Sequence, residues 1–162
     1  MSASKLSRRP SWDEYFLFNI LPQVATRSTC LRRQVGAIVT VNNRIVATGY
    51  NGAPSGVRSC DELGYCNKDR EGLASGTGHD LCLASHSEQN CINSAARSGV
   101  SIDGGSIYVN VRPCTHCAKS IINAGIKRIV YHTDYPDELG LRLLTEAGIQ
   151  LVKMEPPGKK TV

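Results

Sequence analysis

The segment SIYVNVRPCTHCAKSIINAGIKRIVYH, Ser106–His132, reads as strand, helix and strand in succession. Ser106 to Val111 alternates as a half-buried strand does. Pro113 and Cys114 open a helix, proline being suited to a first turn, and Gly125 closes it before a second strand, Lys127 to His132. Two strands joined through a helix run parallel. Working outward, Glu88 to Arg97 has helical character and stops before Gly99. Downstream, Pro136 to Ala147 is a helix ended by Gly148, and Ile149 to Lys153 is a last strand. Upstream, Val35 to Val41 and Arg44 to Tyr50 are apolar runs rich in β-branched residues. Asn42 and Asn43, which tolerate positive φ, separate them, so the pair reads as a hairpin. The sum is an α/β chain: a mixed five-stranded sheet flanked by helices, in three α/β/α layers.

Nearer the N-terminus, Ser11-Trp12-Asp13-Glu14 has the form of a capping box, and Tyr15, Phe16, Ile20 and Val24 continue with helical spacing. Pro22 falls inside that pattern, where it removes a backbone donor and crowds the preceding turn, so a kink or break is expected near Leu21. From Asn51 to Ser85, glycines, prolines, cysteines and charges replace periodic apolar residues. A loop this long in a compact domain needs a stabiliser, and metal binding is one. No linker or internal repeat appears, so residues 1–162 are read as one domain, with 1–10 and 155–162 as flexible tails.

Nineteen basic against 14 acidic residues give a net charge of +5. That balance suits a phosphate-bearing substrate and also nonspecific nucleic-acid binding, but a solvated surface accounts for it before either. No apolar run approaches the roughly 20 residues that cross a bilayer, and Met1 to Pro10 lacks the apolar stretch of a secretory signal. A soluble cytoplasmic protein without a membrane partner is expected. The seven cysteines then favour metal ligation or catalysis over disulfides.

The chemistry concentrates in His86-Ser87-Glu88, at the start of one helix, and Pro113-Cys114-Thr115-His116-Cys117, at the start of another. Cys114 and Cys117, three apart, share one helical face, and His86 offers a nitrogen from the neighbouring helix. Three protein ligands leave a zinc ion one open position, the catalytic pattern. Glu88, beside the metal but not bound to it, can then carry protons. Singly, a C-x-x-C pair reads as a redox or structural half-site, and a His before Glu as a surface pair. Jointly they match the H-x-E and P-C-x-x-C signature of zinc-dependent nucleobase deaminases. His116 is expected to face away from the metal.

Beyond that signature the chain resembles the cytidine and deoxycytidylate deaminase superfamily, in its nucleotide branch. Arg27-Ser28-Thr29-Cys30, Val35-Gly36-Ala37, Gly49-Tyr50-Asn51-Gly52 and Ile121 to Lys127 look like that family's pattern, in its order. The resemblance implies a cytidine-deaminase-like fold and zinc-dependent deamination of dCMP to dUMP, feeding thymidylate synthesis. It assigns Asn51 to the deoxyribose, Arg27 and Ser28 to the 5′-phosphate, and the Ser87 main chain, where the family usually has alanine, to the pyrimidine. It further implies a homohexamer activated by dCTP and inhibited by dTTP, with Asn51, Gly52, Pro54, Ser55 and Gly56 bordering the effector site. Pro22 departs from the family in a helix expected to help form the subunit interface.

Several relatives in this family hold a second, structural zinc. His79 and Cys82 have ligand-like spacing, and with Cys30 and Cys60 they would close a four-coordinate site across the long loop, Cys66 being the alternate ligand. Cys91 reads instead as a small buried hydrophobe. Three rival functions are a transfer-RNA adenosine deaminase, a deaminase of dCTP or a modified cytosine, and a zinc-stabilised interaction module. The nucleotide-branch motifs argue against nucleic acid as substrate, and Glu88 argues against a purely structural site.

Overall fold

The computed structural model describes residues 8–74 and 76–157. Most of the two expected tails, residues 1–7 and 158–162, lies outside the described residues. Five strands form one sheet in the order β2-β1-β3-β4-β5: β1 Gly36–Val41, β2 Arg44–Tyr50, β3 Ser106–Val111, β4 Arg128–Thr133 and β5 Gln150–Lys153. β1 is antiparallel to both β2 and β3, whereas β3, β4 and β5 are parallel. The β1–β2 turn places Asn42 and Asn43 at φ 51° and 58°, as the hairpin reading requires.

Strand side chains alternate between the faces of the sheet, and each face is covered by a different set of helices. Ile38, Tyr108 and Val130 meet Phe16, Leu17 and Leu21 on one side. Ala37, Val39, Ile107, Val109 and Ile129 meet Cys91, Ala95, Ile121 and Leu144 on the other. Two short helices, α3 Cys60–Leu63 and α4 Asn67–Arg70, lie in the long connection after β2, and the second layer comprises α5 Ser87–Arg97, α6 Thr115–Asn123 and α7 Glu138–Glu146. Cys91 is fully buried there, and burial pushes its thiol up to about 12, so it acts as packing.

The first layer shows the form taken by the irregularity expected near Leu21. α1, Trp12–Glu14, begins with the expected capping box at Ser11. It then runs without a break through a π-helical segment, Tyr15–Ile20, into α2, Leu21–Ala25. Leu21 N–H bonds to the Phe16 carbonyl, five residues back. A widened turn ahead of Pro22 relieves the crowding of its ring against the preceding carbonyls, so the helix is remodelled and not broken. Asp13 anchors the layer to the sheet through two bonds from Arg128, at 2.8 and 2.6 Å, and one from the Tyr108 hydroxyl at 2.8 Å.

Gly49 of β2 sets how closely α5 approaches the sheet. A Cβ there would stand 2.4 Å from both the Ser87 carbonyl oxygen and the Cys91 amide nitrogen. Backbone atoms of a packed helix cannot swing aside, so Gly49→Ala is expected to cost at least about 3 kcal/mol, the upper end of overpacking penalties. Chemical denaturation measures this directly. A midpoint like that of wild type would mean that α5 and β2 are further apart.

Candidate active site

The first turns of α5 and α6 lie side by side on one face of the sheet. His86 is the N-cap of α5 and Cys114 the N-cap of α6, while Cys117 stands in the first turn of α6. Asp137 fixes that end of α6 by accepting from the Thr115 amide at 2.8 Å and the Thr115 hydroxyl at 2.6 Å. It also accepts from the Gly140 amide of α7 at 2.8 Å.

His86 Nδ1 lies 3.5 Å from Cys114 Sγ and 3.4 Å from Cys117 Sγ. Tetrahedral zinc with ordinary Zn–N and Zn–S bonds holds its nitrogen and sulfur ligands about 3.6 Å apart. The three donors therefore fit zinc as they stand. Among the described residues they are the one set of three or more such side chains whose ligand atoms all lie within 4.8 Å of one another. The Cys117 thiol donates to Cys114, which pulls Cys114 down to about 3, with His86 contributing. The same bond, together with burial, pushes Cys117 up, and its bond to Cys114 raises His86. One thiol proton is already labile and the other is held, and a bound cation displaces such protons. Both helix N-termini direct their positive ends at the thiolates.

Glu88 is 6% exposed. Burial raises its carboxyl above the usual range, and the Ser87 hydroxyl, itself buried, donates to Oε2 at 2.9 Å. The Ser87 side chain is thus turned toward Glu88. A buried carboxyl beside a three-ligand metal site, and outside that ligand set, is suited to accepting and returning protons. The cavity over these groups is also lined by Asn51, Lys68, His79, Arg112 and Tyr135.

Other expected site residues are placed as follows. Asn51 lines the cavity, but its amide is engaged with the chain before β1: Oδ1 accepts from Val35 N at 2.9 Å, and Nδ2 donates to Arg33 O at 2.8 Å. Ser28 Oγ donates to the carbonyls of Arg33 and Asn51, both at 3.1 Å. Arg27 is exposed and is not among the residues lining the cavity. Gly52 pairs with Ser85 in an isolated bridge, and Pro54, Ser55 and Gly56 form an exposed turn beyond it. Of the second metal set, Cys60 has Cys66, Cys30 and Cys82 as its thiol neighbours, and burial together with those thiols pushes it up to about 11. No three of these thiols and His79 bring their ligand atoms within 4.8 Å of one another. His79 lines the same cavity as the four thiols. It sits in a short 3-10 turn, its ring 5.1 Å from that of His86, with a buried Nδ1 that finds no partner among the described residues. His116 is exposed, as expected.

Sequence reasoning missed Lys68, Arg112 and Tyr135. Arg112 adjoins Pro113-Cys114 and could have been suspected from position; it clamps the 134–137 turn through the carbonyls of Tyr135 and Asp137. Lys68 and Tyr135 stand in non-periodic segments, where nothing marks a residue as facing a cavity.

These parts define an α/β/α domain carrying a His/Cys/Cys donor set that could hold a metal, with a buried carboxyl beside it. The chain belongs to the cytidine and deoxycytidylate deaminase family, whose zinc-binding-region model matches residues 10–133. It is 40% identical to the deoxycytidylate deaminase of Schizosaccharomyces pombe, over 92% of this chain and 46% of that one. With the deoxycytidylate deaminase of Mycobacterium phage D29 the identity is 39%, over 76% of this chain and 95% of the phage protein. The crystal structure of the dCMP deaminase from cyanophage S-TIM5 in complex with dCMP and dUMP superposes with a TM-score of 0.74. It is 31% identical and covers 91% of this chain and 99% of that one. The chain spans less than half the length of the S. pombe relative and of its Saccharomyces cerevisiae counterpart. No helix among the described residues is long and apolar enough to cross a membrane.

Proposed function

We propose that this protein deaminates dCMP to dUMP with release of ammonia, feeding thymidylate synthesis. The observation that carries the reading is the buried Glu88 carboxyl beside, and outside, the His86, Cys114 and Cys117 donor set. Its similarity to deaminases of this nucleotide supports the choice of substrate. Zinc held by those three residues supplies a Lewis acid and lowers the pKa of water bound at its open position. Glu88 accepts one proton of the water that adds to C4 of the pyrimidine and passes it to N3; it then takes the proton of the new C4 hydroxyl and delivers it to the amino group, which departs as ammonia while the C4 carbonyl forms. Ser87 fixes the Glu88 rotamer through its hydroxyl and leaves its main chain for the base. Asn51 borders the sugar, its side chain holding that wall in shape, and Ser28, with Arg27 beyond the cavity lining, supports the phosphate side from outside.

A second zinc, held by Cys30, Cys60, Cys82 and His79, with Cys66 as the alternate fourth ligand, ties residues 51–85 to the start of the sheet and replaces the apolar core that segment lacks. The chain forms one cytoplasmic deaminase domain that assembles as a homohexamer. In it dCTP activates and dTTP inhibits at the turn formed by Asn51, Gly52, Pro54, Ser55 and Gly56.

The test is ammonia release from dCMP, dCTP, deoxycytidine and a transfer-RNA stem-loop with the purified zinc-loaded protein. The highest kcat/KM is expected for dCMP. Preference for the triphosphate or for RNA would assign the site to another member of the superfamily, and inactivity toward all four would leave a structural zinc module.

A further inference from the structure

Lys68, in the short helix α4, Asn67–Arg70, is only 6% exposed and lines the same cavity as His86 and Glu88. Lysine is seldom buried without a paired charge, because taking an ammonium out of water is costly. Here no carboxylate lies within ion-pair distance of it, and its ammonium has no hydrogen-bond acceptor, among the described residues. Nor is that nitrogen one of the sealed, partnerless atoms of the interior. It therefore keeps some exposure, and the residue that carries it lines the cavity.

The neighbouring cations are differently placed. Arg32 bonds Asp69 at 2.6 Å and the Leu73 carbonyl at 2.5 Å. Arg112 is held by the carbonyls of Tyr135 and Asp137. Arg33 stands exposed at the rim, and Arg27 lies outside the lining altogether. Lys68 is thus the buried cation at this cavity that is left uncommitted among the described residues. A desolvated charge of this kind contributes most when an anion enters and completes it.

We infer that Lys68 binds the 5′-phosphate of the substrate and makes this site select nucleotides over nucleosides. The inference rests on the nucleotide-deamination reading and adds a residue to it. Lys68 is a binding residue: it contacts the phosphate and takes no part in proton transfer at the ring. Its single point charge suits a phosphate that must enter and leave at every turnover.

The test compares dCMP with deoxycytidine on zinc-loaded wild type, Lys68→Met and Lys68→Arg. The ratio of kcat/KM for dCMP to that for deoxycytidine should fall about 100-fold in Lys68→Met, mostly through KM, and recover most of its value in Lys68→Arg. Calorimetry provides a readout independent of turnover, in which the wild-type preference for dUMP over deoxyuridine should shrink by a similar factor. A Lys68→Met protein that keeps the wild-type ratio overturns the inference. So does one in which both substrates decline equally with loss of zinc, since Lys68 would then serve the neighbouring thiol cluster. Wild type that is inert toward dCMP would instead defeat the deaminase reading itself, so the two failures are distinguishable.

Discussion

Glu88→Ala should retain its zinc and lose about 10³- to 10⁴-fold in kcat for dCMP, the range expected when a general acid–base is deleted. The geometry explains why the loss falls on kcat. Glu88 stands outside the His86, Cys114 and Cys117 set, so removing it leaves all three ligands and the helix that carries them in place. Its burial removes competing solvent, and burial is also what raises its carboxyl. The group can therefore hold a proton between accepting it from water and returning it to nitrogen. Glu88→Gln sharpens the experiment, because the amide fills the same space and can still accept from Ser87 while lacking a transferable carboxyl proton. Both variants should be equally slow. Either one turning over dCMP at a rate near wild type, with metal content intact, would remove Glu88 from proton transfer.

Cys117→Ala is expected to abolish detectable deamination by a different route, through the metal. Cys117 is completely buried beneath the donor set, and its sulfur sits 3.4 Å from His86 Nδ1. No other described Cys, His, Asp or Glu lies close enough to that set to substitute. Wild type with both proposed sites filled should contain about two zinc ions per chain, and the variant about one. The remaining ion would belong to the thiols around Cys60. Wild type with a single ion that Cys117→Ala loses would leave the catalytic zinc alone and end the case for the loop site. A variant that keeps full activity would contradict the ligand assignment.

Legibility in the sequence followed physical range. Period-two alternation in Ser106–Val111 and glycine stops at Gly125 and Gly148 are local signals, and they located the parallel half of the sheet. The signature around His86 and Cys114 was equally visible: helical spacing sets Cys114 and Cys117 on one face, and the match to a known deaminase signature brings His86 to them. Pro22 marked an irregularity at the right place, but its form depends on how Phe16, Leu17 and Leu21 pack against Ile38 and Tyr108. That packing favours a widened turn over a broken helix. The position of His79 was not legible at all. Its spacing to Cys82 resembles that of a ligand pair, and the left-handed backbone at Gly78 begins a turn that also brings its ring beside His86. Lys68 was hidden for a similar reason, since burial without apolar periodicity comes only from how a loop folds back on the body of the protein.

The cavity has two walls of different construction. One is the paired first turns of α5 and α6, seated on the sheet and holding every atom assigned to bond rearrangement. The other, including Lys68 and His79, belongs to the irregular stretch between β2 and α5. Insertions and exchanges in such stretches leave a rigid scaffold undisturbed. Reactivity and selectivity are therefore separable parts of this architecture, and redrawing residues 51–85 offers a way to retarget it to other amino-bearing heterocycles while the reacting end stays unaltered.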